Sequence, residues 1–168
     1  MSEAARREFA CPPASGVVDD IDLALLDRDD EDQRRILIEA EHPELKQALD
    51  EGIDEVRRGT EVMSPPLHIA MHEIVTNQLW ADNPPEMWET AEQLSAAGYA
   101  RHDVMHMLGS VVSGQVWEAM ANNALYDIER VRLELAALPG SWESLREQRP
   151  LELSRARAQR RAKGRRRR

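Results

Sequence analysis

The sequence predicts an all-α fold, a small helical bundle of about five or six helices, on three observations. Ala, Leu, Met, Glu and Arg dominate the middle of the chain and aromatics make up only 4%, a usage that favours helices over strands. Apolar residues recur at helical spacing in several windows, and no stretch alternates apolar and polar as a half-buried strand does. Helix start and stop signals bracket those windows. A chain of 168 residues is expected to form one domain with one modest core, the compact part covering about two thirds of the length.

Residues 1–29 contain Pro12, Pro13, Gly16 and a cluster of acids, and read as a flexible acidic leader with at most one helical turn near 21–26. The helical domain is placed at 30–148. Ile36, Leu37 and Ala40 begin it at helical spacing, and His42-Pro43 ends that helix because a residue before proline is pushed out of the α region. A short second helix, 43–51, stops at Gly52. Ser64-Pro65-Pro66 opens the next, 65–81, with Ser64 capping free N–H groups and proline tolerated in the first turn. Asn83-Pro84-Pro85-Glu86 repeats the device with Glu86 as capping-box acid, and Gly98 suits a left-handed C-terminal cap, which brackets 84–97.

The longest helix is expected from about 100 to 120, with Val104, Leu108, Val111 and Val112 on one stripe before Asn122-Asn123. Ile128, Val131, Leu135 and Leu138 mark another, closed by Pro139-Gly140, and Ser141 opens a last one through Trp142 and Leu145. Residues 149–168 form an Arg-rich tail.

The formal charge of -9 conceals an asymmetry. From Arg155 to Arg168 the tail holds nine Lys or Arg and no acid, so the other 13 of the 22 basic residues face 31 acids. The acidic body repels nucleic acid, whereas the tail is a candidate contact for RNA or DNA phosphates. No run approaches the roughly 20 apolar residues of a membrane span, and the N-terminus lacks a signal peptide's apolar stretch, so no membrane partner and a cytoplasmic location are expected. The single cysteine, Cys11, excludes an intrachain disulfide and a Cys-rich zinc module. A homo-oligomer and a small-molecule ligand remain open.

Four of the five histidines fall in two H-x-x-x-H pairs, His68 with His72 and His102 with His106. Positions i and i+4 share a helix face with Cβ atoms about 5–6 Å apart, so each pair can chelate an ion. Glu73 follows His72 and Asp103 follows His102, giving each pair a carboxylate for the metal or for orienting a ring. The expected arrangement is a site between two antiparallel helices, with small Gly109 and Ser113 on the face of His102 and His106. Zinc or iron is the cofactor class. The competing reading makes the histidines structural, hydrogen-bonded near helix ends, in a noncatalytic interaction module. His42 reads chiefly as part of a helix stop, with Glu39 and Glu41 beside it as candidates to complete a site.

A third reading takes His102-Asp103 as the doublet of an HD-type metal phosphohydrolase, with His72 and Asp127 in the flanking roles. The H-E-x-x-H signature of zinc proteases is absent, because no histidine follows Glu73 at the required spacing. No reaction is assigned, and whether the chain is an enzyme stays open. Trp80, Trp88, Trp117 and Trp142, with the six methionines from Met63 to Met120, read as packing residues of amphipathic helices.

The segments Arg35-Ile-Leu-Ile-Glu-Ala-Glu-His-Pro-Glu-Leu45, Pro66-Leu-His-Ile-Ala-Met-His-Glu73, Gln78-Leu-Trp80, Gly98-Tyr99 and Arg101-His-Asp-Val-Met-His-Met107 resemble an uncharacterised family of small bacterial proteins of actinobacterial type. Its relatives are sometimes linked to SEC-C zinc motifs. The resemblance covers about residues 34–142 and implies a helical domain of unknown function. The chain lacks the Cys-rich SEC-C motif, so that motif's zinc or nucleic-acid role does not carry over.

Overall fold

The computed structural model describes residues 2–58, 61–122, 125 and 127–145; the tail at 149–168 lies outside them. The fold is the expected helical bundle. Its helices are α1 (Glu3–Ala10), α2 (Glu31–Ala40), α3 (Lys46–Asp50), α4 (Pro65–Ala81), α5 (Pro85–Ala96), α6 (Arg101–Asn122) and α7 (Ile128–Ala136), and residues 140–145 are helical again. A 3-10 turn spans Leu23–Leu25.

Two small hairpins add strands that periodicity does not reveal, because each strand has only two or three residues. β1 (Val17–Val18) pairs antiparallel with β2 (Ile21–Asp22), and β3 (Val56–Arg58) pairs with β4 (Glu61–Met63). Between β1 and β2 the two loop residues Asp19 and Asp20 both have positive φ, 49° and 65°, the backbone of a tight primed turn that aspartate tolerates.

The core is built from one stripe of each main helix. Val75 and Leu79 of α4 meet Met87, Ala91 and Leu94 of α5, Val104, Met107, Leu108 and Val111 of α6, and Val131 and Leu135 of α7. α4 starts as expected, with Ser64 Oγ accepting from the Leu67 amide and Pro65 buried at the first turn. α5 starts one residue later than the capping box requires. Pro84 is its N-cap, no side chain caps it, and Glu86 accepts instead from Arg132 of α7 at 2.6 Å.

α4 and α6 run parallel, not antiparallel as expected. α5 returns the chain between them, so His72 meets His106, Val75 lies against Gly109, and Gln78 lines the same apolar cavity as Gln115. Gly109 thus serves the helix contact, whereas Ser113 turns to solvent and donates to the Gly109 carbonyl at 2.7 Å. Trp117 and Met120 are exposed, contrary to their reading as packing residues, because α6 extends past the elements that cover its first half. The other three tryptophans pack against the core.

Residues 2–29 are more structured than a leader with a single turn. Ala10 and Cys11 are buried, Phe9 meets Trp88 edge-on at 5.6 Å, and Arg6 is buried against the end of α4. There the Arg6 guanidinium donates to the carbonyls of Leu79 and Trp80 and pairs with Asp82. A cation on the last carbonyls of a helix satisfies groups that lack intrahelical partners and complements the helix dipole. That role depends on a segment some seventy residues away, so local composition does not disclose it.

Candidate metal centre

Three arginines bring together the elements that carry histidine. Arg34, buried on α2, donates to Asn77 Oδ1 of α4 at 3.1 and 3.0 Å, and its neighbour Arg35 pairs with Glu73 at 3.2 Å. These contacts lay α2 along α4, so His42, just past the end of α2, falls beside His68 and His72. Arg101, the first residue of α6, pairs with Glu41 at 3.0 Å and donates to the carbonyls of Phe9 and Ala10. It thereby sets His102 and His106 against the same spot.

All five histidines meet there. His72 lies at the middle, its ring centroid 4.5 Å from that of His42, 4.8 Å from His68, 5.3 Å from His102 and 5.0 Å from His106. Two groups of three place their candidate ligand nitrogens within 4.8 Å of one another, namely His42, His72 and His102, and His68, His72 and His106. His42 and His72 are buried, His68 and His106 half-buried, and His102 exposed, so the cluster opens to solvent on one side.

The ring nitrogens explain why such a cluster suits a cation. His42 Nδ1 lies 2.8 Å from the Ile38 carbonyl, which can only accept; Nδ1 therefore carries the proton and Nε2 the lone pair. Nε2 of His42, His72 and His106 is buried with no hydrogen-bond partner. Burial, and then the neighbouring imidazoles, hold the His72 pKa down at about 2 and that of His106 at about 4, and lower that of His68. Neutral imidazoles with free lone pairs are what a transition metal binds, with no proton to displace.

The carboxylates expected beside the pairs stand elsewhere. Glu73 is held by Arg35, and Asp103 is exposed and reaches His106 only through its charge, so neither joins a group of candidate ligands. Glu39 and Glu41 are likewise engaged, by Arg35 and Arg101. Asp127, assigned the distal role in the phosphohydrolase reading, caps α7 by accepting from the Arg130 amide. His42 is the residue that the spacing argument underweighted. The signal that could have raised it was its position immediately after an amphipathic helix, where a histidine can turn back onto the carbonyl four residues earlier.

A family model for a domain of unknown function, DUF1841, matches residues 27–135. The chain belongs to this family. The DUF1841 segment contains all five histidines and the three positioning arginines, starts just before α2 and leaves α1 outside. No curated protein and no solved structure matches the chain.

Proposed function

We propose that this DUF1841 protein is a transition-metal-binding helical domain, with zinc or iron as the class of ion and His42, His68, His72, His102 and His106 as its ligands. One observation carries the reading: three buried Nε2 atoms lack partners, and His72 shares one close triad of ligand nitrogens with His42 and His102 and another with His68 and His106. A buried acceptor left unpaired costs roughly 1–3 kcal/mol, and a cation offsets several such costs at once. Structural histidines would instead spend their ring nitrogens on hydrogen bonds, as His42 does with Nδ1 alone. Glu73 and Asp103 act from outside the ligand set, Glu73 by fixing α2 on α4 through Arg35 and Asp103 by its charge.

The test is metal analysis of the full chain purified without a polyhistidine tag, beside His72→Ala and His106→Ala. Near-stoichiometric metal in the parent and at least a tenfold weaker affinity in both variants is the expected result, ligand loss costing no less than the roughly 10–100-fold of a lost outer-shell partner. Trace metal that neither substitution changes defeats the reading.

A further inference from the structure

We infer that the cluster is a two-ion centre, one ion held by His42, His72 and His102 and the other by His68, His72 and His106, with the His72 ring shared between them as a bridge. The inference rests on the metal-binding reading above and gives it a stoichiometry and two ligand sets.

Proximity divides the rings in this way. Within each set of three the candidate ligand nitrogens lie within 4.8 Å of one another, and His72 is the member common to both. His42 comes from the end of α2, His68 and His72 from α4, and His102 and His106 from α6, so each set spans helices. The H-x-x-x-H pair on α6 is thereby split, His102 to one set and His106 to the other, although their rings are 4.3 Å apart. That short contact follows from the single helical turn between them.

Unpaired nitrogen decides between one ion and two. Nε2 of His42, His72 and His106 is buried with no hydrogen-bond partner. One ion in the first set leaves His106 Nε2 stranded, and one ion in the second leaves His42 Nε2 stranded. A buried polar atom without a partner carries a desolvation cost that nothing offsets. Ions in both sets pair all three. His42 fits this use, because its Nδ1 donates to the Ile38 carbonyl at 2.8 Å and leaves Nε2 for the ion, an outer hydrogen bond of the kind that orients a ligand ring.

His72 then supplies both of its nitrogens. Its ring lies between the sets, 4.5–5.3 Å from each of the other four, and among the described residues no hydrogen bond engages it. One nitrogen of a neutral imidazole carries a proton. Binding of the second ion breaks that N–H bond, the proton passes to solvent, and the freed lone pair forms the second metal–nitrogen bond. Cations on both sides stabilise the resulting imidazolate. Each ion receives three histidines, one fewer than the four protein ligands of a closed structural zinc site.

The experiment loads the metal-free full chain with Cu(II), removes unbound ion by desalting, counts copper per chain and integrates the electron paramagnetic resonance signal, in the parent, His102→Ala, His106→Ala and His72→Ala. The parent is expected to hold two Cu(II) with an integrated signal well below two spins, since an imidazolate couples the two unpaired electrons. His102→Ala and His106→Ala each keep one Cu(II) with the full signal of one spin, and His72→Ala binds both ions at least tenfold more weakly. One Cu(II) per chain in the parent overturns the two-ion centre and leaves the metal-binding reading standing. Two Cu(II) with the signal of two uncoupled spins overturns the bridge, and two Cu(II) retained in both His102→Ala and His106→Ala overturns the ligand sets. No Cu(II) uptake removes the metal-binding reading itself. His102 is exposed, so its variant tests ligation with little demand on the core.

Discussion

At the scale of single residues, His72 and His106 combine two demands that ordinarily conflict: they are polar, and they are packed among other rings with little access to water. Burial resolves the conflict by keeping these two rings neutral, and the consequence is a pH dependence with a defined sign. His72 is held at about 2 and His106 at about 4, chiefly by burial, against roughly 6.5 in an unfolded chain. Between about pH 6.5 and 4 the unfolded chain binds protons at these rings and the folded metal-free chain does not. Their contribution to stability is therefore whole above about pH 6.5 and is lost as pH falls, with a slope of about 1.4 kcal/mol per pH unit for each ring. Below about 4 His106 protonates in place, and His72 continues the loss toward about 2. The urea midpoint of metal-free protein should be lower at about pH 5 than at about pH 7. An equal or higher midpoint at the acid pH contradicts a neutral His72 and His106 in the folded chain.

At the scale of elements, local rules account for most helix positions. Ser64-Pro65-Pro66 starts α4 where capping predicts, Gly52 and Gly98 take positive φ after α3 and α5, and each H-x-x-x-H pair lies on one helix face because the turn repeats near that spacing. α1 is where local rules fall short. Its eight residues carry only Phe9 and three alanines as apolar side chains, and Arg6 ties it to the end of α4. Arg6→Ala removes a charged donor from the carbonyls of Leu79 and Trp80, with an expected loss of about 1–3 kcal/mol in denaturant unfolding. Arg6→Lys keeps the charge but loses the planar fork, and should recover only part of it. A full recovery by lysine would show that charge alone matters there.

At the scale of the whole molecule, charge is segregated between an acidic body and the cationic stretch at 155–168. No described helix is long and apolar enough to cross a membrane. The tail gives a third expectation: deleting residues 154–168 should abolish binding to mixed-sequence RNA or DNA, and binding by the full chain should weaken steeply between about 50 and 200 mM salt, measured by fluorescence anisotropy. No affinity at low salt ends the nucleic-acid expectation without touching the histidine cluster, since the five histidines all precede α7. The helical class, the approximate helix bounds and the two histidine pairs were all legible in the sequence, because helix periodicity and capping are set by residues within about one turn of each other. The joining of His42 to the other four histidines, the parallel run of α4 and α6, the docking of α1 and the diversion of Glu73 to Arg35 were decided by tertiary structure. Each depends on which faces meet when several stripes bury their apolar area together, and that is a sum over distant elements that no local window contains.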